Sequence, residues 1–302
     1  MRASRARKES AVYSILVIAY LLLGGAAGGA FFTMAAWSLY FHGSREYRRS
    51  SRIRRSFRSM KAACYTMAFL MLTVAMACLY FDLGVPKNVH LFFLRPHLTA
   101  ITFGAFSLGG LALVGGLLVA ANVLRPRAMG GRVKKALEAL CVVCSLCVMA
   151  YTGVYLYSQA AVPAWHSLWL VALFVCSAAS GGLSVVLLAD WFIQGKTLLL
   201  RTVRPLQKCH LAWLACEAAS MVGYVLFLLE TPGAADALAL LLEPRALGMA
   251  AIGAAGMGVV APAALECYAL SQRTGRNIPV SDVICLIGGL CLRWCVVMCA
   301  TH

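Results

Sequence analysis

Apolar runs alternate along this chain with short segments that hold most of its charge. The runs are roughly 20 residues long, enough for a helix to cross the hydrocarbon core of a bilayer. The short strands of a membrane β-barrel would alternate apolar and polar residues, and no such alternation is present. The pattern predicts eight membrane helices, over residues 11–41, 62–81, 97–124, 136–157, 167–193, 210–229, 246–270 and 283–300. The chain therefore reads as an all-α polytopic membrane protein. It forms a single membrane domain over residues 1–302: a polar tail (1–10), a first four-helix half (11–157) and a second (167–300). The first run is too long for a signal-peptide core and has a basic stop after it, so it is expected to stay. A short interfacial helix is expected within the acidic, apolar connection 230–245.

Composition and charge sharpen this picture. The 302 residues are 62% hydrophobic and 13% charged, whereas soluble domains carry about 25% charged residues. In a soluble protein the net charge of +16 would suggest nucleic acid. No basic segment carries a nucleic-acid fold pattern, so no nucleic-acid partner is expected. Eight spans place both termini on one side. The odd-numbered links hold 19 of the 27 Lys and Arg; the tail and the even-numbered links hold seven, and Arg293 lies inside the eighth helix. Basic residues collect on the cytoplasmic side, so both termini are expected outside. The 13 cysteines fall mostly within apolar runs, as small packing residues rather than a secreted disulfide framework.

One connection stands apart. Between the fourth and fifth helices the chain has no Lys, Arg, Asp or Glu, and Tyr151, Tyr155, Tyr157, Trp165 and Trp169 bracket it. That composition fits an aromatic belt at a membrane surface, with a possible recess for a flat ligand. Paired glycines in the first helix (Gly24 with Gly28, Gly25 with Gly29) either bring helix backbones together or leave room for a ligand ring.

Ionisable groups cost at least about 2.5–3.5 kcal/mol each at the bilayer centre and need a reason to be there. Glu217, Glu266 and Arg293 fall deep, and Asp82 and Asp190 fall near helix ends. Structural pairing or capping would account for them, and so would a proton route. Cys141, Cys144 and Cys147 have the spacing of an iron–sulfur motif, but they lie on an apolar helix without the fourth Cys and Pro. All six histidines lie in links or at helix ends, although His97 and His166 both fall near the outer surface. Neither an iron–sulfur cluster nor a haem is expected in this chain. Phosphate-cradling loops, zinc spacings and nucleophile triads do not appear either. The chain reads as a non-catalytic subunit with no redox centre of its own.

Six segments occur in order: YLLLGGAAGGAFF, FDLGVP, RPHLTAITFGAFSLGGLAL, YTGVYLYS, SAASGG and GGLCLRWCVV. Taken together they resemble the NrfD/polysulfide reductase membrane-subunit family, with its PsrC- and DmsC-like anchors, over nearly the whole chain. The resemblance implies eight helices in two four-helix bundles within a bacterial cytoplasmic membrane. It implies a subunit of an anaerobic respiratory complex that binds quinone or menaquinone and exchanges electrons with a four-cluster ferredoxin-like partner. That partner would contact a molybdopterin-dependent catalytic subunit.

Topology places Tyr20, Gly24, Gly25, Asp82, His97, Thr99, Tyr151, Tyr155 and His166 on the same outer side. Tyr20, Gly24, Gly25, His97, Thr99, Tyr151, Tyr155 and His166 are the candidate quinone residues. The resemblance singles out Tyr151, of the YTG segment, as the carbonyl partner. Asp82, Glu217 and Arg293 are the candidate proton path. Some members carry a polar His or Asn where this chain has Ala30 and Phe31, and the family's DLGRP appears here as DLGVP with Val85; both changes remove polar partners near the expected pocket. A purely structural anchor without a quinone site and a secondary transporter are the alternative functions. Most prolines here lie in links rather than at mid-membrane, which is unlike a transporter.

Overall fold

The computed structural model describes residues 2–42, 51–82, 99–124, 130–159, 162–194, 200–271 and 279–298. Among these the regular structure is helical throughout. In chain order, α1 spans Arg2–Phe41 and α2 Ser51–Asp82. Next, α3 spans Ala100–Val119, with a π turn at Ala120–Leu124, and α4 spans Gly131–Tyr157. After a 3₁₀ turn at Pro163–Trp165 come α5 (Leu168–Gln194) and α6 (Leu200–Glu230). The short helix α7 (Ala235–Leu242) lies where an interfacial helix is expected. The seventh span is α8 (Pro244–Ser271), whose middle, Met249–Val260, is wound as a π-helix. The eighth span is α9 (Pro279–Met298). Eight helices are long and apolar enough to cross a membrane.

Several helices begin earlier than hydropathy predicts. α2 starts 11 residues before the predicted 62, and α6 starts 10 residues before the predicted 210. Arg and Lys are good helix formers, so a basic segment that leaves the bilayer can stay helical. Pro205 falls in the second turn of α6, just past the unpaired donors of the first, and costs the helix one backbone hydrogen bond near its end. On α3 the start is fixed by Thr99, whose Oγ1 accepts from the Thr102 N–H at 3.3 Å.

Helices α1 to α4 pack around one another, and α5, α6, α8 and α9 form a second four-helix group. The two groups join along α1 and α5, and α5 is the most enclosed of the spans. Gly29 and Gly182 set this seam. A Cβ on Gly29 would strike the backbone of Ala178, and one on Gly182 would strike Gly29 and Ala30. Lipid tails are as apolar as the side chains, so close backbone approach and its dispersion contacts hold such a crossing. Gly258 and Gly288 make the same kind of contact between α8 and α9.

Buried polar groups tie the bundles at several levels. Near the face where α1 ends, Lys61 of α2 pairs with Glu138 of α4, which also accepts from Ser38 of α1 at 3.0 Å. Deeper, Arg293 of α9 donates through Nε to the Leu21 carbonyl of α1 at 3.0 Å. Its Nη1 donates to Ser177 Oγ of α5 at 3.2 Å and to the Gly289 carbonyl at 2.8 Å. Arg293 is 2% exposed, with its guanidinium 5.6 Å from the Phe174 ring. Arg293 thus bridges the two bundles at the α1–α5 seam.

Candidate functional site

A cavity of about 600 Å³ opens at the face where α1 begins and α9 ends. That size suits a small-molecule site. Its walls come from the first part of α1, the end of α2, the start of α3 and the end of α4. Trp165 of the 3₁₀ turn and Val297 of α9 complete the enclosure. Met76, Leu79, Ile101, Leu108 and Leu156 make the surface largely apolar. Polar groups enter from Tyr20, Tyr80, Asp82, Tyr151, Thr152, Tyr155 and Gln159.

Tyr151 is 6% exposed, and its ring occupies space left by the missing side chain of Gly104 on α3. The Tyr155 ring follows one turn later, 6.2 Å away and tilted by 46°. Tyr20 is also 6% exposed. Its hydroxyl faces that of Tyr151 closely enough for a side-chain hydrogen bond between the two, though a loosely aligned one, and it meets no other protein partner. A buried hydroxyl in that state costs free energy until a better-aligned partner meets it. Asp82 ends α2 at the rim and is half-buried.

The other candidate residues take different positions. Gly24 faces the Tyr20 ring edge and Ala75, each about 3.7–3.8 Å from where its Cβ would stand. Gly25 leaves room for Arg293, whose Nη2 would lie 3.0 Å from a Cβ there. Thr99 caps α3. His166 is exposed and stacks on Tyr157 with centroids 4.2 Å apart, while its Nδ1 lies 3.0 Å from the Tyr157 carbonyl. It clasps the end of α4 beside the cavity. His97 and Val85 lie outside the described residues.

Ala30 and Phe31 are buried, with the Phe31 ring stacked 6.0 Å from Tyr65 and seated against Gly115. They stand 10 and 11 residues beyond Tyr20 in sequence, some 15 Å deeper along a helix. The expectation that these apolar residues strip polar partners from the pocket is therefore corrected, since neither lines it.

The aromatic connection is locked to the second bundle. Trp165 Nε1 donates to the Val296 carbonyl at 3.0 Å, and the Tyr224 hydroxyl donates to the Ala164 carbonyl at 3.1 Å. Trp169 packs over Gly223. Thr152, Gln159 and Tyr80 line the cavity without having been singled out by sequence. For two of them a signal was available, since Thr152 adjoins Tyr151 and Gln159 lies at the start of the same uncharged connection.

Glu217 lies below this level. Ser180 Oγ donates to Glu217 Oε2 at 2.6 Å, and Ser177 of the same helix accepts from Arg293. Among the described residues no ion pair joins Glu217 to Arg293. The α5 serines are hydrogen bonded to each group, although the two charges remain within electrostatic reach.

The family profile described as "Polysulphide reductase, NrfD" matches residues 4–302. The chain belongs to the NrfD family. The match covers both bundles, so the cavity and the α1–α5 seam lie within the family domain. As an NrfD protein the chain is a multi-pass membrane subunit, compatible with anchoring an oxidoreductase complex. A comparison with curated proteins finds no match.

Proposed function

We propose that this NrfD protein binds quinone or quinol in the cavity at the α1–α4 end. It would serve there as the membrane subunit of a molybdopterin/iron–sulfur oxidoreductase in a bacterial cytoplasmic membrane. The observation that carries this reading is the buried Tyr20–Tyr151 hydroxyl pair, with Tyr20 poorly satisfied, in a largely apolar recess. A quinone head group is flat and apolar, with two carbonyl oxygens that accept hydrogen bonds. Such a ligand would satisfy the Tyr20 donor and be covered by Leu and Ile side chains.

Bound quinone would supply two-electron, two-proton chemistry, and this chain's residues would position it and move protons. Tyr151 and Tyr20 would donate to carbonyl oxygen. Asp82 at the rim would exchange protons with water. Glu217 and Arg293 would extend a route inward, linked through the hydroxyls of Ser177 and Ser180. Electrons would pass to a four-cluster ferredoxin-like subunit docked at the same face, and from it to a molybdopterin-dependent catalytic subunit.

The test is quinol oxidation by the purified complex, together with titration of a quinone-site inhibitor. Tyr151→Phe and Tyr20→Phe should each weaken inhibitor binding about 10-fold, the loss of one hydrogen bond. They should leave assembly intact. Unchanged binding in both variants would remove the tyrosines from the site. A wild-type complex that neither oxidises quinol nor binds the inhibitor would leave a purely structural anchor.

A further inference from the structure

A second polar cluster lies in the other bundle, toward the opposite face. His210 of α6, Glu266 of α8 and Asp282 of α9 converge from three helices. Their exposures are 0%, 2% and 0%. One ligand atom from each lies within 4.8 Å of the other two. A cation with bonds of about 2.0–2.2 Å holds ligand atoms roughly 3 to 4.4 Å apart, so small side-chain shifts complete the geometry. We propose that these three residues bind a divalent transition cation, with imidazole nitrogen and two carboxylate oxygens as ligands.

Charge balance is the first argument. With His210 neutral, the Glu266 carboxylate brings a negative charge into a space shut off from water. Ionised carboxylates in such a place require protons or a cation. A divalent cation neutralises Glu266 and takes the Asp282 carboxylate as a further ligand.

The hydrogen bonding is the second argument. Glu266 pairs with His210 through Oε1, while its other oxygen, Oε2, is buried without a partner. Protonating Oε2 would exchange an orphan acceptor for an orphan donor. A cation would satisfy the oxygen directly. The far side of His210 is also arranged as metal-bound histidines are. Its Nε2 lies 3.2 Å from Ser184 Oγ and 3.8 Å from Cys285 Sγ. An Nε2–H donated to Ser184 leaves the Nδ1 lone pair facing the carboxylates, which fixes the tautomer a ligand needs.

Location makes loading practicable. Asp282 is the fourth residue of α9 and Glu266 lies five residues before the end of α8. The cluster is thus about one or two helical turns from the membrane surface. Imidazole with two carboxylates suits Mn²⁺, Fe²⁺ or Zn²⁺ better than thiolate-loving Cu⁺ or all-oxygen Ca²⁺. Bound there, the ion would staple α6, α8 and α9. The cluster is separate from the cavity of the first bundle, so the inference does not rest on quinone binding.

The test is metal analysis of the intact complex after washing with a weak chelator. The wild type should retain about one equivalent of divalent transition metal per chain. Glu266→Gln and His210→Gln should each lower it severalfold. The wild-type melting temperature should fall with a strong chelator and recover when the same metal is restored. The second measurement needs no variant, so a folding defect cannot mask the answer. Wild type with only trace metal and a melting temperature indifferent to chelator would overturn the proposal and leave Glu266 paired with His210 alone. Metal retained equally by both variants would also overturn it, identifying an adventitious ion only.

Discussion

The ring of Tyr151 fills the place where Gly104 lacks a side chain. A Cβ at Gly104 would overlap the aromatic carbons themselves, so α3 dictates where the Tyr151 hydroxyl can be. The rotamer of a residue on α4 is thereby set by an absence on its neighbour.

Gly104→Val should displace Tyr151 while leaving the tyrosine in the sequence. Quinol oxidation should fall about 10- to 100-fold, since an ångström of misplacement at a reacting group carries costs of that order. Gly110→Ala is the control, because its Cβ would meet only Cys144 Sγ at an ordinary 3.8 Å. Steady-state kinetics on matched preparations would decide the point. Equal activity in both variants would break the link between α3 and Tyr151.

Substitution at the bundle seam should act on stability rather than on the cavity. Gly29→Val and Gly182→Val force side chains into backbone and should destabilise by about 1–3 kcal/mol or more. Gly181→Ala meets Leu286 Cδ2 at 3.6 Å and should be nearly neutral. Thermal melts in detergent would separate the three. A seam that tolerates Gly29→Val would show that α1 and α5 are not in backbone contact.

The Lys61–Glu138 pair invites a double-mutant cycle. Lys61→Met alone leaves a carboxylate buried with Ser38 as its remaining named donor, a change that typically costs about 3–5 kcal/mol. Adding Glu138→Leu should recover most of that loss, because the unpaired charge is gone. Additive losses in unfolding midpoints would show that the pair is not coupled.

Glu217→Gln preserves an acceptor for Ser180 while removing a titratable group. Its stability should stay within about 1 kcal/mol of wild type, the scale of one neutral hydrogen bond. Quinol-driven proton movement in reconstituted vesicles should drop several-fold if protons pass this level. Full proton movement in the variant would take Glu217 out of the route.

The helices, and the face on which the aromatic residues gather, are legible in the sequence because hydropathy and the number of spans determine both. Tyr20, Tyr151 and Tyr155 could be placed on one side by counting alone, and they do line one cavity. The buried ion pair of Lys61 and Glu138 was not legible. Hydropathy assigns Lys61 to a basic link, whereas the helix runs on through it from Ser51. His210 was hidden similarly. It reads as the first residue of a predicted helix, but α6 begins at Leu200 and carries His210 into the bundle. Charge marks the membrane surface only on average, and packing partners decide which charged residues stay inside. The glycine roles needed coordinates for another reason. Gly25 and Gly29 share one motif, yet one makes room for a guanidinium and the other for a backbone.

Trp165 and Val297 have a consequence for how the molecule can be divided. They belong to the connection and the second bundle, yet they wall a chamber whose tyrosines come from the first. A fragment ending after α4 would keep every aromatic hydroxyl and lose one side of the room. Water would then compete for the Tyr20 donor, and an apolar guest would lose much of its cover. The two four-helix groups are in this respect a vessel and its stopper.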